Sequence, residues 1–358
     1  MGIISSLPPT LSVEAVPLIF REPHVLTGYR PPNWPWSYYL KSFFQLNNEC
    51  FNVWTHLCAM IYAVVKLITY SSKIAFSDPY YWPFLVGYVT IILLYCASVA
   101  AHGFHSRSEL AHYVAFFFDY AGIGLYGSGI GTLHFYYCSE PEFYHKIRSV
   151  YPIVITLVSA SCCVTSIHCK AVFRRPYPPV RKVIQVAGIG AMYMWIILPL
   201  YGRIAKCFTH RHDGAFQIPS SFNDSTSISS WIDCADPVMS IHAREIAWFI
   251  AAGFFYSTNT PHRFRPGTFD IVGHGHQLFH ICIALTSFYG NEGVFLDMLH
   301  KRPHTEQRII LSQSTFGILG IVEAVWPIFA VAILELVSVF LYSKRIEKEI
   351  IRRERKTS

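Results

Sequence analysis

Eight stretches of this 358-residue chain are apolar for about as long as a helix needs to cross a lipid bilayer, and this limits the fold more than any other feature. A hydrocarbon core about 30 Å thick takes roughly 20 apolar residues at about 1.5 Å each. The stretches are 51–70, 81–101, 113–137, 149–168, 183–201, 241–257, 271–289 and 315–342. The sixth is clipped by Arg244 and Glu245 and the seventh is interrupted by histidines. Composition agrees, with 52% hydrophobic and only 14% charged residues. The chain therefore reads as all-α, a polytopic membrane helix bundle. Residues 1–47 form a cytosolic N-terminal segment, 48–342 the membrane domain and 343–358 a basic cytosolic tail. No signal peptide is evident at the N-terminus. The mixture of Trp, Tyr, Phe and Lys over residues 36–46 suits a short helix lying in the interface.

The basic residues orient the bundle. With the N-terminus inside, the cytoplasmic segments hold 18 Lys and Arg, well above the number outside, which places both termini in the cytosol. The most basic short inner loop carries Lys170, Arg174, Arg175, Arg181 and Lys182, and the tail from Lys344 to Lys356 could bind anionic lipid headgroups. The loop between the fifth and sixth stretches holds Asn223-Asp224-Ser225, a glycosylation sequon that is usable only outside the cytosol. Cys207 and Cys234 share that loop and could form a disulfide.

Ionisable residues inside apolar spans are costly and tend to be functional. His276 and His280 are spaced i, i+4, so on a helix they share a face with their roots about 5–6 Å apart. Two such imidazoles can converge on one zinc ion, and His102 is the candidate for a third, since Ser98 precedes it by four residues and Asp119 follows in the next span. Three imidazoles leave an open position at which zinc activates water, chemistry suited to hydrolysis. Asp119 is placed to take a proton and Ser98 to bond water or a substrate carbonyl. Glu49, Asn52 and His56 open the first span and read as a structural or gating network that satisfies itself. All of these groups fall in the cytoplasmic half of the bilayer, which argues for one shared site and against a continuous transport path. His105, His112 and His274 read as interfacial, Glu323 and Glu335 as bundle-facing or protonated. Pro199 and Pro327 are expected to kink their helices, and Gly188 and Gly190 to permit close helix contact.

Three motifs carry a family resemblance: Gly28-Tyr29-Arg30-Pro31-Pro32 with Asn48-Glu49-Cys50-Phe51-Asn52-Val53-Trp54-Thr55-His56; Ser98 through His102 with Asp119; and His276-Gln277-Leu278-Phe279-His280. Together, in this order, they resemble the progestin and adipoQ receptor family, over essentially the whole membrane region. The one departure is Cys50-Phe51, where relatives have smaller or β-branched residues, and it leaves the polar positions intact. An eighth span with a basic tail resembles the membrane progestin receptor branch, a seven-helix core plus a C-terminal helix. The resemblance implies zinc held by His102, His276 and His280, with Ser98 and Asp119 beside it, and location at the plasma membrane.

Two functions follow as expectations. One is a receptor that binds an apolar ligand, a steroid such as a progestin, within the bundle and signals to G proteins or other cytosolic effectors. The alternative is a zinc-dependent amide hydrolase acting on ceramide-type sphingolipids. Membrane lipids are partners in either case; nucleic acid is not.

Overall fold

The computed structural model describes residues 7–75, 77–212, 237–303 and 317–357. The sequon at Asn223 and Cys234 lie outside the described residues, as do the side chains of Cys207 and Glu323. Among the described residues there is no strand, only an isolated bridge between Leu11 and Tyr29.

A short interfacial-type helix, α1 (Trp36–Lys41), leads into α2 (Cys50–Ser71), α3 (Trp82–Phe104) and α4 (Glu109–Leu133). A five-residue π segment, His134–Cys138, continues α4. The short α5 (Pro141–Ile147) precedes α6 (Tyr151–Val172) and α7 (Pro179–His212). The chain then resumes in α8 (Pro237–Thr258), α9 (Gly275–His300) and α10 (Gly317–Thr357). Six of these, α2, α3, α6, α7, α8 and α10, are long and apolar enough to cross a membrane by length and composition alone. The two remaining expected spans are helices of comparable length, α4 and α9 at 25 and 26 residues, and they carry Asp119 and the histidine pair. The result is a polytopic helical membrane bundle whose outer faces are rich in exposed Ile, Leu, Val and Phe.

Lipid tails are as apolar as leucine, so helices in a membrane associate through close packing and internal polar bonds. Here α4 is the central post, packed on α3, α6 and α10, while α8 lies along α9. A Cβ at Gly124 would come within 2.8 Å of the Ser159 carbonyl on α6, and one at Gly129 within 3.1 Å of the Gly87 carbonyl on α3. The expectation for α7 is only half met: a Cβ at Gly188 would meet Thr165 at 3.5 Å, but one at Gly190 would meet nothing within 4 Å. That face of α7 is simply open. Pro199 and Pro327 lie inside helices that continue past them. Glu335 faces the bundle, 2% exposed, against Gly124.

The basic tail continues α10 as a helix. Arg353 reaches Glu109 at 2.5 Å, and Glu349 meets Arg174 at 3.0 Å, so part of its charge is used in tying α10 to α4 and to the loop after α6.

Gly124→Leu should lower stability by about 1–3 kcal/mol or more, through overpacking against a backbone carbonyl. Gly190→Leu should stay within about 0.5 kcal/mol. Thermal unfolding of the two variants in detergent checks the contrast.

Candidate metal centre and ligand cavity

The N-terminal segment folds over one end of the bundle and fixes the helices that meet there. Gly28, at φ +86, accepts from Asn48 N–H through its carbonyl at 2.9 Å, a close approach in a backbone region that side chains disfavour. Thr27 donates both its N–H and its hydroxyl to Asp270 at 2.8 Å. The next turn delivers Arg30, 3% exposed, whose guanidinium donates to the carbonyls of His102 and Gly103, each at 2.6 Å. These are end carbonyls of α3, left without intrahelical partners and bearing the negative end of the helix dipole. The motif Gly28-Tyr29-Arg30 therefore caps the helix that carries His102.

Glu49 sits at the start of α2 and ties the same end together. Its carboxylate meets His102 Nδ1 at 2.7 Å and His105 Nε2 at 3.1 Å and accepts from Asn52 Nδ2 at 2.6 Å. A carboxylate facing Nδ1 fixes that nitrogen as the protonated one, so the Nε2 lone pair of His102 points the other way. From α2, Thr55 Oγ1 approaches Nδ1 of His280 on α9 at 3.5 Å while donating to the Phe51 carbonyl at 2.7 Å, which leaves its oxygen to accept from the ring. The three Nε2 atoms then converge: His102 to His276 is 3.3 Å and His276 to His280 is 3.2 Å.

This arrangement brings together the three histidines singled out in the sequence, and its chemistry fits a metal ion. The Nε2 lone pairs of His102 and His280 both face His276 Nε2, and a single cation among the three nitrogens satisfies all of them at once, whereas one proton on His276 could serve only in part. The edges match the roughly 3.3 Å between ligands of a tetrahedral ion bonded at about 2.0–2.1 Å. Ser98, one turn before His102 and 2% exposed, is placed to donate to the Asp119 carboxylate. Asp119, His102 and His276 all line a cavity of about 310 Å³.

Several expectations need correction. His56 does not join Glu49 and Asn52; it stacks on His280 with ring centroids 3.9 Å apart and an interplanar angle of 15°. Its ring faces α9 because it lies one turn beyond Asn52, past the reach of Glu49. His105 and His112, expected at the interface, are buried within the protein, joined at 3.1 Å through their Nδ1 atoms, with the Phe20 ring edge-on to His112. His274 is buried too, its Nε2 bonded to the Asn48 carbonyl at 3.1 Å. The N-terminal segment lies over two of them, with the Phe20 ring beside His105 and His112.

A second polar centre went unread in the sequence. Asp297 on α9 is fully buried and meets Arg203 at 2.6 Å, Lys301 at 2.7 Å and His242 at 3.1 Å. Glu245 on α8 lies 3.4 Å from both His242 and His134. His134, His242 and Glu245 thus bring ligand-type atoms within 4.8 Å of one another, as do Cys138, His242 and Asp297. The signal available was the charge of Arg244-Glu245 inside an apolar stretch and of Arg203 just past one.

With this geometry in place, similarity to known proteins is decisive. The haemolysin-III-related family model matches residues 44–220 and 214–290. The chain belongs to that family, the progestin and adipoQ receptors. Among similar family members, membrane progestin receptor alpha-B of Danio rerio is 34% identical over 300 residues, 83% of this chain and 78% of its own length. Membrane progestin receptor beta of Mus musculus is 29% identical over 353 residues, 98% of this chain and 92% of its own. The human beta receptor is 31% identical over 296 residues, 82% of this chain and 77% of its own.

Asp297→Asn would leave Arg203 and Lys301 buried without their carboxylate, so it should destabilise this family member by about 3–5 kcal/mol. Loss of folded protein after detergent extraction, followed by size-exclusion chromatography at rising temperature, measures it.

Proposed function

We propose that this chain is a membrane progestin receptor: a multi-pass plasma-membrane protein with both termini in the cytosol, binding an apolar steroid within the bundle and signalling to G proteins or other cytosolic effectors. The names of its relatives, at 29–34% identity over most of the chain, point to the ligand class. The observation that carries the site is the convergence of the His102, His276 and His280 Nε2 atoms beside the cavity. We take the ion there to be zinc, because three imidazole nitrogens in a tetrahedral edge pattern suit it. Bound zinc would act as a Lewis acid on a ligand carbonyl. Around it, Glu49 holds His102 in one tautomer, Arg30 fixes the end of α3, and the packed N-terminal segment keeps bulk water out.

The alternative, a ceramide-type amide hydrolase, is favoured by one placement: Asp119 lines the cavity with Ser98 beside it. In that reading Asp119 takes a proton from the attacking water and returns it to the leaving amine, while Ser98 orients the carboxylate.

Detergent-purified wild type should carry close to one zinc per chain and His276→Ala almost none; Glu49→Gln should weaken metal binding about 10–100-fold. A receptor retains steroid affinity in Asp119→Asn within about threefold and has no ceramide turnover. A hydrolase turns ceramide over and loses about 10²-fold or more in Asp119→Asn. Wild type without zinc would sink the metal assignment.

A further inference from the structure

The histidine end of the cavity accounts for half of its lining. The other half is basic and aromatic, and its four cations outnumber the carboxylates Glu22, Glu49 and Asp119 that share the lining. Lys170 at the end of α6, Arg175 in the following loop, and Arg181 and Lys182 at the start of α7 all line the cavity. Cations near a membrane surface ordinarily face water or lipid headgroups, as Arg174 does, its side chain 49% exposed and paired with Glu349. These four turn inward. Lys170 is only 3% exposed.

The Tyr177 ring gathers three of them, with Arg181 at 3.8 Å, Arg175 at 4.7 Å and Lys170 at 5.9 Å from its centroid. One carboxylate is in ion-pair contact with them, Glu22 at 2.6 Å from Arg175, while Glu49 and Asp119 line the cavity further off and act on Lys170 only through space. Burial disfavours the charged form of Glu22, but Arg175, with Lys170 nearby, holds its pKa below the ordinary carboxylate value. Lys182 is occupied by neutral acceptors, donating to Asn259 Oδ1 at 2.9 Å and the Ser257 carbonyl at 3.3 Å. Lys170 and Arg181 have no hydrogen bond or ion pair from their side chains among the described residues; their contacts are with aromatic rings. The Arg181 Nε is buried without an acceptor. A ring face offsets part of the cost of burying a cation, about 0.5–2 kcal/mol, and leaves the N–H donors unused.

We infer that this end of the cavity is an anion subsite that takes the phosphate monoester of an amphipathic lipid. Two unpaired cations match a dianion, and the Arg181 fork can donate two parallel bonds to phosphate oxygens while Lys170 supplies a point charge. The subsite lies close to the histidines: the Phe116 ring stands 4.1 Å from Lys170 Nζ and 5.7 Å from the His102 ring. A headgroup held at Lys170 therefore places the first few atoms beyond the phosphate beside Asp119 and the histidines. A neutral ligand of the same length leaves both cations unanswered and is the weaker binder. The inference rests on the cavity being the ligand site, as proposed above, but not on the metal.

The test uses full-length protein in nanodiscs of zwitterionic lipid, with lysophosphatidic acid, monoacylglycerol of the same chain length and inorganic phosphate as probes. Lysophosphatidic acid should bind at least tenfold more tightly than monoacylglycerol, and millimolar inorganic phosphate should compete with it. Arg181→Gln and Lys170→Met should each reduce that preference at least tenfold, Arg181→Lys should restore part of it, and Arg174→Gln should leave it within twofold. Equal binding of the two lipids overturns the inference. So does inorganic phosphate that binds with no lipid advantage, or an undiminished preference in Arg181→Gln. If the variants fail to fold, the comparison of the lipids on wild type decides alone. His276→Ala separates the two readings: losing its metal while keeping the phosphate preference supports the anion subsite independently of the metal.

Discussion

The Glu49 carboxylate is the interaction on which this end of the molecule depends. Two imidazoles and an amide converge on its oxygens, from α2, from α3 and from the turn that follows α3. An ionised carboxylate taken out of water is tolerated only when its lone pairs are used. Here the bonds that satisfy it also do geometric work: they fix the His102 tautomer and hold α2 against α3. Arg30 completes the arrangement from the N-terminal segment by capping α3 just after that histidine. The convergence of three Nε2 atoms is thus a consequence of how buried charge is compensated at the ends of the helices, and not of the α9 histidine pair alone.

The same helix, α9, carries a polar centre at each end. His276 and Asp297 are 21 residues apart, about 30 Å along a helix, close to the thickness of a hydrocarbon core. Between them the helix is held by bonds of ordinary kind: Tyr95 meets Ser287, and Asn291 donates to Tyr126 at 3.3 Å. Lys66, the lone basic residue of the first apolar stretch, finds Glu292 at 2.6 Å. These groups reach across to a neighbouring helix, while others, such as Thr165 and Thr286, bond carbonyls of their own helix, the two ways a chain can supply a partner where water cannot.

Much of this was legible in the sequence, and the reasons separate cleanly. Apolar length locates helices because the bilayer sets it, and i, i+4 spacing places His276 and His280 on one face because the helix repeat sets it. His102 and Asp119 could be added since ionisable residues in such runs are rare. The partners of Asp297 could not, because Arg203 is 94 positions away and looks like an ordinary flanking charge at the end of a run. The helix α7 continues past that point to His212, which is what carries Arg203 into the interior. The misplacement of His105, His112 and His274 has a related cause. Reading spans one by one assigns the helix ends to the interface, whereas a segment of some 30 residues packed over those ends makes them interior.

The two polar centres differ in a way that separates architecture from ligand chemistry. At the Asp297 end each carboxylate meets a cation or an imidazole, with Arg203, Lys301 and His242 around one and His242 and His134 around the other. Charges that answer one another in this way tie α7, α8 and α9 together. At the histidine end the balance is incomplete twice over, since three ring nitrogens converge without a proton donor among two of them and two cations lie against aromatic faces with their N–H groups unused. Both deficits open onto one cavity. The Asp297 end pairs each carboxylate with cations or imidazoles from other helices, whereas at the cavity the unused donors of Lys170 and Arg181 face the space a ligand would fill.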